Sequence, residues 1–174
     1  AATRWVPEYG HTFTEEKLPA SRRETGDPSL WLDGLEWESA DFARSAEHHA
    51  ALEDAAARSG SPLLVCDTDA LATAVWHERY LGAPAPEVEA VHERVPHHLW
   101  ILTSPEGVPF EQDGWRDGES IRLWMSGRFQ EELEERGLPH ITVTGPHEDR
   151  LAAAVAATDD LLDKGWSFNA PLSP

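Results

Sequence analysis

Cysteine is almost absent from this chain. Cys66 is the only one in 174 residues, which excludes an intramolecular disulfide framework and any zinc site built from several thiolates, and favours a reducing, cytoplasmic setting. Lysine is nearly as scarce. Lys17 and Lys164 stand with twelve arginines against 32 acidic residues, so the formal net charge is −18. A surface of that sign repels phosphate backbones, and DNA and RNA are poor partners. No apolar run approaches the ~20 residues of a membrane span, and no secretory apolar segment opens the chain. Met125 is the only methionine and the sequence begins Ala1-Ala2, so the chain is expected to start downstream of the natural start.

Several motifs are missing as well. The twelve glycines never fall two apart, so there is no G-x-G-x-x-G dinucleotide loop. Lys17 follows Glu16 and Lys164 follows Asp163, and neither has the glycine run that a phosphate-loop lysine needs. No G-x-S-x-G elbow occurs, and Cys66 reads as a buried structural thiol rather than a nucleophile. The run His92-Glu-Arg-Val-Pro-His97 nearly copies H-E-x-x-H, but its second histidine comes one position late and Pro96 ends the helix. The nine histidines read as solvated or singly hydrogen-bonded side chains.

What is present has an α/β rhythm over a single domain, residues 1–174, with 166–174 as a loose tail. Pro62–Cys66, His98–Leu102 and His140–Val143 are short apolar runs that read as buried strands, each followed by a polar tip and then helical spacing. That alternation predicts a parallel sheet with crossover helices. Helices are expected from Ser39, as cap, to Arg58, over Ala70–Leu81, over Glu87–Val95, along Ile121, Met125, Phe129 and Leu133, and along Leu151, Val155 and Leu162. Pro19–Glu36 and Thr103–Gly118 read as long surface loops, and loops of that length in a compact domain are usually functional.

Three segments carry candidate chemistry. Leu63-Leu-Val-Cys-Asp67 has the form of a Walker B strand, whose terminal carboxylate orients Mg²⁺, and Thr68, Asp69 and Thr73 add polar groups beyond what a helix cap requires. The loop Gln112–Gly118 with Arg122 offers two arginines, Arg116 and Arg122, around a helix N-terminus, where they can clamp anionic oxygens or simply pair with Asp113, Asp117 and Glu119. Arg4–Gly10 ends in Glu8-Tyr9, an acid beside an aromatic ring that suits a sugar hydroxyl or an edge-strand cap.

In that order these segments resemble the nicotinamide riboside kinase domain at the carboxyl end of NadR-type NAD-biosynthesis proteins. The resemblance runs from about Arg4 to Leu162. It rests on Trp5-Val-Pro-Glu-Tyr-Gly10, Ser39-Ala-Asp-Phe42, Val65–Thr73 with Trp76-His-Glu-Arg-Tyr80, Pro109–Arg116, and Thr144-Gly145 before His147-Glu148. It implies an adenylate-kinase-like P-loop kinase fold with parallel strand order 2-3-1-4-5, helices on both faces, and strand one with its phosphate loop preceding Ala1 and missing from this chain. Arg4–Glu8, Pro62–Asp67, His98–Thr103 and His140–Thr144 would be strands two to five, leaving a gap between three and four. By the same resemblance the cofactors are ATP and Mg²⁺. Asp67 holds the metal, Glu8 takes the proton of the attacking 5′-hydroxyl, and Tyr9, Thr68 and Asp69 hold the nucleoside. Arg116 and Arg122, with Asp113 beside them, face the nucleotide and neutralise charge on the transferred group. His11 stands where the family often has Arg and receives no role. An upstream adenylyltransferase domain is the implied covalent neighbour. The implied reaction is ATP-dependent phosphorylation of nicotinamide riboside to its mononucleotide, with this chain expected to be inactive without the phosphate loop; the alternative is a non-catalytic nucleoside- or nucleotide-binding or regulatory module.

Overall fold

A computed structural model of the protein describes residues 3–112, 115 and 118–164. They gather into two compact units, Ala1–Pro96 with Glu111–Glu119, and His97–Phe110 with Ser120–Pro174. The tail 166–174 lies outside the described residues.

In the first unit β1 (Arg4–Val6) pairs in parallel with β2 (Leu64–Cys66), Arg4 opposite Leu64 and Val6 opposite Cys66. Parallel neighbours need a long crossover. It contains α1 (Gly10–Thr25) and α2 (Ser39–Arg58), and α2 packs on both strands. Helices α3 (Ala70–Leu81) and α4 (Pro86–Arg94) pack on α2 and on each other. Ala46, Ala70, Ala74 and Ala85 let the three helices approach around Phe42, Val88 and Val91. Inside this layer His77 is 1% exposed. Its Nδ1 lies 2.9 Å from the Ala83 carbonyl, which can only accept, and its Nε2 lies 2.9 Å from the Ser39 hydroxyl. Nδ1 therefore donates to that carbonyl, and both ring nitrogens have a partner.

Two expectations change here. Pro19 does not open a loop but sits inside α1, where it removes one intrahelical bond. Buried Leu18, the Lys17–Asp41 ion pair and the Arg22 Nε bond to the Leu30 carbonyl hold the helix on both sides of it. The chain leaves α1 at Gly26, which adopts φ 69°, and only then runs through one short 3₁₀ turn, Leu32–Gly34, to Glu38. At α2 the cap is Glu38 rather than Ser39: its amide donates to Asp41 Oδ2 at 3.0 Å, which frees the Ser39 hydroxyl for His77.

In the second unit β3 (Trp100–Thr103) pairs in parallel with β4 (His140–Val143), α5 (Arg122–Glu135) packs on β3, and α6 (His147–Asp163) packs on β4. Met125 and Leu133 of α5 are buried, whereas Leu151 and Val155 of α6 are exposed.

The α/β class and the parallel pairing are as expected, and the strands form two two-stranded pairs with no ladder joining β2 to β3 among the described residues, at the place where the resemblance implies a gap. The strands are also less buried than their apolar runs suggest. Trp5 and Val65, register partners on adjacent strands, are 63% and 45% exposed, and Ile101 is exposed as well. A two-stranded pair with a helix on one side leaves its other face open. No helix among the described residues is long and apolar enough to cross a membrane.

Candidate functional site

The ends of β1 and β2 define the site. The Asp67 amide donates to the Val6 carbonyl at 2.8 Å, extending the ladder by one bond, so Pro7-Glu8-Tyr9 and Asp67-Thr68-Asp69 leave the pair at the same carboxyl end. Parallel α/β sheets collect ligands there.

Glu8 is exposed, and a Cβ placed on Gly10 would lie 3.1 Å from its Oε1. Its carboxylate thus lies over the first residue of α1, where the helix dipole favours negative charge. Gly10 permits that approach by lacking a side chain. Tyr9, the residue before α1, donates its hydroxyl to Glu16 Oε2 at 3.3 Å and stacks on His48 of α2, with ring centroids 3.9 Å apart and planes 19° apart. Burial, and then the Glu16 carboxylate, raise the phenol above its ordinary pKa. One face of the Tyr9 ring is therefore already covered, a contact that sequence spacing did not signal because His48 lies 39 positions away.

Asp67 is exposed. Thr68 holds φ 69°, the left-handed region that a β-branched residue rarely enters. It stays there because both neighbours are pinned, Asp67 by the bond to Val6 and Asp69 by capping α3, with Oδ1 accepting from the Ala72 amide at 2.8 Å. Asp69 is buried, and the Thr73 hydroxyl donates to its carbonyl. Two of the four polar groups in this block thus serve the start of α3, and Asp67 and Thr68 are left at the strand tip. Cys66, one residue earlier, has its thiol pushed up to about 12 by burial, with Glu53 and Asp69 adding to the effect. It is an inert thiol at neutral pH.

Behind the site, Asp41 fastens α1 to α2. Lys17 Nζ and Arg44 Nη2 donate to its two oxygens at 2.8 and 2.7 Å. Burial pushes the carboxyl up, but the bonds to Lys17, the Glu38 amide and Arg44 outweigh it and hold the group below its ordinary value. In the same unit Trp115 tilts against His11 and Trp31, at 5.2 and 5.5 Å between centroids, and Arg22 covers the Trp31 ring. Asp113 and Arg116 lie outside the described residues.

Arg122 belongs to the second unit. Its Nη2 donates to the carbonyls of Pro105 and Val108 at 3.3 and 3.0 Å, and its guanidinium lies over Phe110. Among the described residues its hydrogen bonds go to carbonyls, not to Glu119.

A family model described as an AAA domain matches residues 1–150. The chain belongs to the AAA domain family. This makes it an α/β domain of the P-loop NTPase type with a nucleotide-binding, NTPase-like function, and in such domains nucleotide binds with Mg²⁺. No curated protein matches the chain.

The donors of this AAA domain suit the metal better than the phosphates. The exposed Asp67 carboxylate and the Thr68 hydroxyl are the hard oxygen ligands that Mg²⁺ takes, usually one or two beside retained waters. Both lysines are committed elsewhere, Lys17 to Asp41 and Lys164 to Asp160. Neither is placed as a triphosphate-binding group.

Proposed function

We propose that this AAA domain carries the nucleoside side of a riboside kinase centre, acting in ATP-dependent phosphorylation of nicotinamide riboside to its mononucleotide in NAD biosynthesis, in the cytoplasm. The observation that carries this is the convergence of Glu8 and Asp67 at one end of the β1–β2 pair, set by the Val6–Cys66 register and the Asp67–Val6 bond. Two carboxylates leaving neighbouring strand tips divide the work of phosphoryl transfer, one accepting the proton of the attacking hydroxyl and the other holding the metal. Glu8 takes the first role and Asp67, with Thr68, the second. When bound, Mg²⁺ supplies charge neutralisation at the transferred group. Tyr9 lines the nucleoside side, whereas Asp69, assigned there by the resemblance, is spent on capping α3; the charge-neutralising role of Arg116 and Arg122 is carried by the resemblance alone.

The test is conversion of nicotinamide riboside to the mononucleotide with Mg-ATP, followed by chromatography, for the wild type and Asp67→Asn. Asparagine keeps the shape but removes the charge that holds the metal, so transfer should fall at least ~10²-fold with the fold intact. Full activity in Asp67→Asn would sink the assignment.

The commitment of both lysines supports a second possibility, a non-catalytic nucleoside-binding or regulatory module. Saturable riboside binding without any phosphate transfer would favour it.

A further inference from the structure

In the second unit the carboxyl ends of β3 and β4 are tied together by one side chain from α6. Arg150 donates from Nε to the Gly145 carbonyl at 2.6 Å, from Nη1 to the Ser104 carbonyl at 2.6 Å, and from Nη2 to the Glu106 carbonyl at 3.1 Å. Ser104 follows β3 directly and its amide continues the ladder to the Val143 carbonyl at 3.0 Å, while Gly145 follows β4 with φ 82°. Three nitrogens of one planar fork thus satisfy three carbonyls from two strand ends and the loop between β3 and α5.

The same loop holds Arg122. Pro105 and Val108, whose carbonyls accept from Arg122 Nη2, alternate along the chain with Ser104 and Glu106, whose carbonyls accept from Arg150. The loop is further closed by Glu106 N–H to Ser104 Oγ, Val108 N–H to the Pro105 carbonyl, and Gly107 at φ 71°. Two guanidiniums therefore grip one five-residue turn through four carbonyls, and among the described residues the hydrogen bonds of both end on backbone oxygen. In a chain of net charge −18, neither arginine has a carboxylate partner among the described residues.

We propose that Arg150 is a positioning residue. It sets the Ser104–Val108 turn and, through that turn, the orientation of the Arg122 guanidinium. Lysine cannot replace it, since a single ammonium lacks the flat fork that meets three carbonyls at once. The proposal rests on the riboside-kinase reading only for what Arg122 does during transfer, not for where Arg150 places it.

The experiment uses the full chain with ¹⁵N-labelled arginine, comparing wild type, Arg150→Lys and Arg150→Met. In the wild type the Arg122 guanidinium protons should exchange with water at least ~10-fold more slowly than those of a free arginine side chain, as should the amides of 104–108. In folded Arg150→Lys both sets should speed up ~10-fold, whereas the amides of α2 and α3 stay unchanged. With Mg-ATP and riboside, kcat should drop and the riboside KM should hold. Unprotected Arg122 protons in the wild type would overturn the proposal without any variant, and so would unchanged exchange in either folded variant. If the wild type transfers no phosphate, the kinase reading fails while the exchange data still decide the role of Arg150.

Discussion

Removing the Asp41 carboxylate tests how α1, and with it Glu8 and Tyr9, is held in place. The Asp41 side chain is 5% exposed, Lys17 18% and Arg44 70%. Arg44 is thus largely hydrated and its pair is worth at most ~0.5 kcal/mol. The amide bond from Glu38 closes the first turn of α2 and contributes ~1 kcal/mol. The charge-assisted bond from Lys17 contributes ~1.5–3 kcal/mol, and its loss strands an ammonium in a mostly buried place. Asp41→Ala should therefore destabilise by about 3–4 kcal/mol, within the range for breaking a buried pair from one side. For a domain of this size that is a drop of roughly 6–16 °C in Tm. Lys17→Met alone should cost about 2 kcal/mol, and the double variant less than the sum, because the two act on one interaction. Urea denaturation of the four proteins reads each value. A loss below ~1 kcal/mol in Asp41→Ala, or strict additivity, would refute the reasoning. The pH dependence has a fixed sign. The folded Asp41 carboxyl titrates below its ordinary value, so its contribution is fully present above the unfolded pKa of ~3.9 and is lost as pH falls through the lower folded value. The stability gap between wild type and Asp41→Asn should accordingly narrow in acid.

Other outcomes follow from the strand tip. At Asp69 asparagine should keep the α3 cap, with stability within ~0.5 kcal/mol, and alanine should lose ~1 kcal/mol; equal losses in thermal melts would remove the cap as the role of this side chain. Thr68→Gly relieves ~1–2 kcal/mol of left-handed strain and adds ~0.4–1 kcal/mol of unfolded-state freedom, so a net gain of ~0.5–1 kcal/mol is expected, and a loss above 1 kcal/mol would show that the hydroxyl or methyl makes a contact that matters more than the strain. With its pKa near 12, Cys66 should react with a disulfide reagent at pH 8 roughly a thousand-fold more slowly than an ordinary thiol, and reach the ordinary rate in denaturant; fast labelling of the native protein would contradict that burial.

The helices of this protein were legible because their signals are local. Ala70–Leu81 appears over the expected residues, since its cap at Asp69 and its stop at Gly82 lie in the same stretch of chain as its apolar face. β4, Leu64–Cys66 within its apolar run, and the ending of α5 before Gly137 are local in the same sense. The apolar strand ending in Asp67 marked the site for the same reason. What stayed hidden depends on partners far along the chain. Pro19 reads as a breaker until Lys17 finds Asp41, and the Ser39 hydroxyl reads as a cap until His77, 38 positions on, claims it. Asp69 and Thr73 look like site groups until the backbone that they serve has formed. The covering of Tyr9 by His48, the left-handed Thr68 between two pinned neighbours, and the grip of Arg122 and Arg150 on carbonyls carry no residue-type signature, because a backbone oxygen is present at every position. Composition and periodicity by themselves determined an acidic α/β chain with parallel strand pairs and a carboxylate at a strand tip. Only tertiary packing decided which of its polar groups are spent on structure and which are left at the site.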